Sequence, residues 1–414
     1  MTDKYLLFTN IRSVIDEQHA IYDAVKVCGY KVIMLAASIP EHLKDLTAVY
    51  KYNDNKNEAE SIQNALDLAN KYTIDAVFSW TDTDVVLCSK IAKAINIPSI
   101  DTDAAYRARN KYEMRKTIFN HNPALVPSFA EVSSFKDIEN NISNIGFPAV
   151  LKPISASGSK GIFIINTLEE AFQAFKTLTT LLGDTEEGWF YNRYGNKFIL
   201  ETFISGQEFS VEGVVLNNDI FIAGITDKLT TDDWHLEYRH IFPANYPKEV
   251  CTAIEDASKE VIHALGINNC PFHLEGKWAD SGFKLIEIAA RIGGDLIHTH
   301  LIENSLNFNW LIFVIRSLTE KKFPLIPKKA IPKYSGIQFI LAHDSQPFYG
   351  LNYKDTPDTP PGLIKIEELV ARGTKILMPP EDFAMQRLGY ILAEEHDFAS
   401  LEQLLTSITT ELTV

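Results

Sequence analysis

Two periods alternate along this chain, and the places where one gives way to the other outline its parts. Residues 4–8, 31–36 and 75–80 are short apolar runs separated by stretches of helical length at about 15–28, 57–71 and 83–96. Short apolar strands joined by helices are the β-α-β alternation of a parallel sheet, so an open α/β domain is expected over 1–105. A helix through 103–120 leads on to Pro123 and Pro127. From about 126 to 205 the pattern becomes strand, helix (134–145), strand (147–152), a Gly/Ser loop, strand (161–165), helix (167–182) and strand (198–204). That is a compact α+β unit, read as a lid within the segment 106–205. Residues 207–228 predict a hairpin turning at Asn217-Asn218-Asp219, and a helix at 247–265 stops at Gly266. A second hairpin and helices near 295–304 and 307–319 complete a unit over 206–333. Residues 334–414 return to strands, among them Tyr334–Leu341 and Arg387–Leu392, then a final helix. They predict a C-terminal subdomain packed on that unit.

The second hairpin brings in chemistry. Its arms, Pro271–Trp278 and Phe283–Arg291, flank Asp280-Ser281-Gly282. A turn centred on Ser281 sets Glu275 opposite Glu287. Directly opposed residues share a face with Cβ atoms about 4.5–5.5 Å apart, where two carboxylates repel unless a cation lies between them. An all-oxygen site suits Mg²⁺, which keeps several waters and is completed by substrate phosphates. The alternative is a structural ion cluster, with Glu275 paired to Lys277 or Lys284 and Arg291 to Glu287.

Composition narrows the partners. The chain has 414 residues, 46% of them hydrophobic, enough for two or three packed domains. Its 39 basic and 54 acidic residues leave a net charge of −15, which argues against general binding of nucleic acid or anionic membranes. Cys28, Cys88, Cys251 and Cys270 lie far apart, without a Cys-x-x-Cys pair. They predict reduced thiols rather than a zinc site or a disulfide framework. No apolar stretch is long enough for a signal segment or a membrane span, so a soluble, cytoplasmic protein is expected; a homodimer is compatible with this reading.

A nucleotide calls for phosphate-binding groups. Lys152 at a strand end opens a loop of small residues, Pro153 to Gly161, whose backbone N–H groups can wrap an anion, with Ser157, Gly158, Ser159 and Gly161 the candidates. It is not a P-loop, since Gly-Lys-Ser/Thr is absent and a strand follows, and no G-x-G-x-x-G occurs. Lys111 is a second phosphate candidate or a solvated helix lysine. Glu201, Phe203, Ile204 and Glu208 stand around a Gly turn, where they fit an adenosine group or are two exposed carboxylates beside a turn.

Lysine, lysine with a Gly/Ser loop, Glu-x-x-x-x-x-x-Glu, and a glutamate hairpin closed by Glu287-Ile288-Ala289-Ala290-Arg291-Ile292-Gly293-Gly294-Asp295 follow in an order that resembles the ATP-grasp superfamily over nearly the whole chain. Glu-x-Ala-x-Arg-x-Gly-Gly and the region Arg387–Ala393 look most like the bacterial L-amino acid ligases, which are dipeptide synthetases. The resemblance implies an ATP-grasp fold: an α/β first domain, an α+β lid and a mixed-sheet core. It implies ATP and Mg²⁺, with Lys111, Lys152, the loop Ser157–Gly161, Glu201, Phe203, Ile204 and Glu208 on the nucleotide and Glu275 and Glu287 on the metal. Many members carry Asn two residues after the second metal glutamate. Ala289 stands there, leaving one metal position to water. Arg291 matches the arginine of the transferred phosphoryl group and the reacting carboxylate. Glu237 and His240 match residues near the acceptor, and Gly293 and Gly294 match the backbone that approaches substrate. The implied reaction activates a carboxylate as an acyl phosphate, which the amine of a second amino acid then attacks; positioning and charge neutralisation would carry most of the catalysis. Asp295 after the Gly pair, with Glu237 and Asp382 adding negative potential, is read either as favouring a cationic first amino acid such as Arg or Lys or as a surface aspartate.

Overall fold

The computed structural model describes residues 3–181, 183, 194–232, 234–326, 333–353, 360–378, 382 and 385–412. The first domain holds β1 (Lys4–Phe8), α1 (Ile15–Val27), β2 (Lys31–Ala36), β3 (Thr47–Tyr52), α2 (Glu58–Ala69), β4 (Thr73–Phe78) and α3 (Val85–Ala94). Its parallel sheet has the order β3-β2-β1-β4. β1 and β2 are apolar runs because helices cover both faces. β3 was not expected. It is a mostly exposed edge strand whose alternation lacks the buried run that marks the others.

The expected helix over 103–120 is two helices, α4 (Thr102–Arg109) and α5 (Lys111–His121), broken at Asn110. Neither Gly nor Pro marks the break. The Asn110 side chain caps α5 by accepting from the N–H groups of Tyr112 and Glu113, and Lys111 N–H donates to Ile154 O at 2.7 Å. The lid comprises β5 (Phe129–Val132), α6 (Phe135–Ile145), β6 (Ala149–Pro153), β7 (Phe163–Ile165), α7 (Leu168–Leu181) and β8 (Phe198–Thr202), with an antiparallel sheet of order β5-β8-β6-β7. β7 starts at Phe163 rather than 161 because the small-residue loop runs on, with Gly158, Ser159 and Gly161 all at positive φ.

The large sheet is eight-stranded: β9 (Gln207–Leu216), β10 (Asp219–Thr230), β11 (Glu237–Phe242), β12 (Cys270–Ala279), β13 (Gly282–Ala289), β14 (Tyr334–Leu341), β15 (Leu363–Glu368) and β16 (Arg387–Glu395), in the order β13-β12-β9-β10-β11-β14-β16-β15. Asn217 and Asn218 both take positive φ, the tight hairpin turn their amides allow. Residues 334–414 give β14, β15 and β16 to this same sheet and end in a helix, α11 (Phe398–Glu411). The other helices are α8 (Lys248–Leu265), which stops at left-handed Gly266, α9 (Ile302–Leu306) and α10 (Trp310–Glu320). The helix expected over 295–304 begins differently. Asp295 and Leu296 are left-handed, and a π-helical turn, Ile297–Leu301, precedes α9.

Packing fixes the first domain against the sheet. Leu6, Phe8 and Trp80 share a buried cluster with Ile292, Leu311 and Ile315. Asp16 of α1 accepts from Lys365 Nζ at 2.7 Å and from Tyr390 Oη at 2.5 Å, on the far edge of the large sheet.

Candidate functional site

β12 and β13 set the centre. Ala279 pairs with Gly282, so the turn is Asp280-Ser281 alone, and its register would place Glu275 opposite Ile286. A bulge between Glu275 and Gly276 absorbs Ile286, and the pairing resumes with Glu275 opposite Glu287. The expected opposition is present, produced by a bulge as well as a turn. On β12 the neighbours of Glu275 on its own face are His273 and Lys277, and β9 opposite them carries Glu208, Ser210 and Glu212. The other face carries Phe209, Val211, Phe272 and Leu274, buried against α4, α5 and α8.

This polar face, the lid and the first domain enclose a cavity of about 380 Å³, within the range of small-molecule sites. Of the residues singled out in the sequence, Lys111, Lys152, Ser157, Gly158, Ser159, Glu201, Phe203, Ile204, Glu208, Glu237, Glu275, Glu287, Arg291, Gly294 and Asp295 line it. Gly161, His240, Gly293 and Asp382 do not. Gly161 packs against Leu178 and Pro153, Gly293 underlies His273, and Asp382 caps the Met385 N–H. His240, fully buried, stands behind Asp295 with Nε2 3.0 Å from Oδ2. Burial pushes its pKa down to about 4 against the pull of Asp295, so it is neutral at pH 7.

Cations and carboxylates in the cavity are matched. Lys111 Nζ is 2.7 Å from Glu287, Lys152 Nζ 2.7 Å from Glu201, Lys277 Nζ 3.6 Å from Glu208, Arg291 2.5 Å from Asp82 and Arg387 2.9 Å from Asp295. Lys228, nearly inaccessible, touches Glu237 and lies 2.7 Å from Glu275. Glu201 is also 2.6 Å from Arg115, whose side chain is wholly buried. Burial opposes ionisation of Glu201, yet Arg115 and Lys152 outweigh it and hold its pKa below the usual range. Burial lowers that of Lys152. Burial also opposes charge on Glu275, but Lys228 and His273 hold it well below the ordinary carboxylate value. Glu237 goes the other way: burial, with Glu275 and Asp295 nearby, pushes it up to about 8 despite Lys228. Asp295 stays ionised because Arg387 outweighs its burial. In this structure its charge is met by Arg387.

Lys228, Asp82, Arg12, Arg387 and the layer beneath Glu275 were not read from the sequence. In that layer His273 Nδ1 lies 2.8 Å from Glu212 Oε2 and Nε2 2.9 Å from Glu275 Oε1. Both neighbours accept, so both nitrogens carry protons; burial opposes the charge, but the two carboxylates push its pKa up to about 9. Trp310 Nε1–H donates to His298 Nδ1 at 3.1 Å, and His298 Nε2 meets Glu212 at 2.5 Å. The ligand atoms of Glu212, His273 and His298 lie close enough to hold an ion, but these bonds consume their lone pairs.

A divalent cation fits the opposed pair better. Lys228 and His273 use Oε1 of Glu275, and Lys111 uses Oε2 of Glu287. One oxygen of each carboxylate therefore remains without a hydrogen bond among the described residues, and an all-oxygen donor set suits Mg²⁺.

Comparisons with known proteins bear on the domain and the fold. Residues 145–300 match the family described as "ATP-grasp domain". Alanine–anticapsin ligase of Bacillus amyloliquefaciens is 26% identical over 267 residues, 61% of this chain and 56% of that protein. Dapdiamide A synthase of Enterobacter agglomerans is 27% identical over 245 residues, 56% of this chain and 54% of that protein. The chain thus matches about half the length of these curated relatives. The crystal structure of L-amino acid ligase from Bacillus licheniformis superposes with a TM-score of 0.85 at 21% identity, covering 100% of this chain and 98% of that one. No helix among the described residues is long and apolar enough to cross a membrane.

Proposed function

We propose that this chain, which carries an ATP-grasp domain on the fold of an L-amino acid ligase, is an ATP- and Mg²⁺-dependent carboxylate–amine ligase that joins two L-amino acids. The observation that carries the reading is the pair Glu275–Glu287, opposed across β12 and β13 in the same cavity as Lys111, Lys152, the small-residue loop and Arg291.

A carboxylate oxygen of the first amino acid attacks the γ-phosphorus of ATP, the bond to the bridging oxygen breaks, and ADP leaves. The amine of the second amino acid then attacks the acyl carbon, the bond to the phosphate oxygen breaks, and phosphate departs with the amide formed. Lys111 and Lys152 stand where they can exchange Glu287 and Glu201 for phosphate oxygens. Arg291 faces the reacting carboxylate once it leaves Asp82. Glu237, with its pKa near 8, is suited to take the proton that the attacking amine loses. The loop Ser157–Ser159 lies over the cavity, and Ser159 Oγ bonds His235 O across it at 2.9 Å, which would keep water from the acyl phosphate. Mg²⁺ held by Glu275 and Glu287 would supply charge neutralisation at the phosphates.

Incubation with ATP, Mg²⁺ and pairs of the twenty amino acids should release phosphate and yield a dipeptide mass. Phosphate release that needs bicarbonate, with no dipeptide from any pair, would refute the proposal in favour of carboxylation.

A further inference from the structure

The strand order β3-β2-β1-β4 of the first domain has a switch point. β1 leads through α1 to β2 on one side, while β4 lies on the other, so the loops after β1 and β4 open a crevice at the carboxyl ends of the strands, where open α/β sheets take ligands. Those loops deliver Arg12, Thr81, Asp82 and Thr83 to the cavity.

Arg12 is built to reach into that crevice. Its Nε donates to buried Glu17 at 3.2 Å and its Nη1 to Trp80 O at 3.0 Å, which fixes the guanidinium. Nη2 makes no hydrogen bond among the described residues and crosses the backbone of Gly294, where a Cβ would stand 1.9 Å from it. Glycine at 294 is what lets the arginine pass.

The ligase reading, on which this inference rests, brings two carboxylates into the cavity. The one to be activated belongs beside Arg291, whose charge is felt by Glu287 and Glu275 as well as Asp82. The other sits on the amino acid that supplies the amine; it is not consumed and needs its own cation. Arg387 is engaged by Asp295 at 2.9 Å, whereas the carboxylate partner of Arg12 is Glu17, which does not line the cavity. We propose that Arg12 binds the α-carboxylate of the amine-donating amino acid, so that the crevice between β1 and β4 is the acceptor subsite.

The test measures KM for an acceptor amino acid and for its uncharged C-terminal amide, in the full chain with ATP and Mg²⁺. Arg12→Gln should raise KM for the acid roughly ten- to a hundredfold, the worth of a charge-assisted hydrogen bond, and leave that for the amide unchanged. Arg12→Lys should restore part of the discrimination. An equal rise with acid and amide, or none with either, overturns the assignment, because a loss of structure does not distinguish the two acceptors. A wild-type enzyme that joins no pair of amino acids overturns the ligase reading itself.

Discussion

Glu201 provides a demanding test of the electrostatics. Its carboxylate, 3% exposed, is gripped by Arg115 at 2.6 Å and Lys152 at 2.7 Å, both buried. Glu201→Gln keeps the shape and removes the charge, which leaves two like charges facing each other out of water. Unit charges about 4 Å apart attract by about 4 kcal/mol at an effective dielectric of about 20. Two such attractions are offset by the Arg115–Lys152 repulsion and by the desolvation of three ions. Removing one partner from a buried ion cluster typically costs about 3–5 kcal/mol, and that loss is expected here. Urea unfolding followed by tryptophan fluorescence would measure it. Arg115→Met added to Glu201→Gln removes one stranded cation, so the double variant should be less destabilised than the sum of the single ones. A Glu201→Gln protein within about 1 kcal/mol of wild type, or strictly additive variants, would refute the view that this triad is held by charge.

Other outcomes follow from single features. Glu287→Gln removes half of the opposed pair and should weaken Mn²⁺ binding, read by EPR titration without substrate, by roughly tenfold or more. Gly293→Ala would set a Cβ 2.8 Å from His273 Nδ1 and 3.3 Å from Glu212 Oε2; an overpacking loss of about 1–3 kcal/mol is expected in thermal unfolding. Asp227 has its pKa pushed up to about 6, chiefly by burial and against Arg239. Because the folded pKa exceeds the unfolded 3.8, this group's contribution is intact below that value and is lost as pH rises through about 6. Asp227→Asn should therefore stabilise the protein at pH 7.5, by up to roughly 3 kcal/mol, and make little difference near pH 3.5, as urea midpoints at the two values would show.

Much of the fold was legible because its signals are local. The parallel strands are apolar runs, α8 stops at a glycine that accepts a left-handed backbone, and Asn217-Asn218 forms a tight turn. The opposition of Glu275 and Glu287 also lies within one hairpin, although the bulge at Ile286 that secures it leaves no mark in the pattern. Helix 103–120 was misjudged because an Asn cap inside a helical stretch looks like any polar surface residue. β3 gives no such signal because a mostly exposed edge strand lacks the apolar run that identifies a buried one.

The sequence by itself determined the order of the elements, the pairing within hairpins and the kinds of charged groups available, since period, turn chemistry and register act between residues close in the chain. Only the tertiary structure decided which charges meet. Arg291 finds Asp82 across 209 positions and Lys228 finds Glu275 across 47, and His240 and Gly293 fall behind the cavity wall rather than on it. Such pairings depend on burial, where a charge must find a partner or be neutralised by gaining or losing a proton, and burial is a property of how distant segments pack.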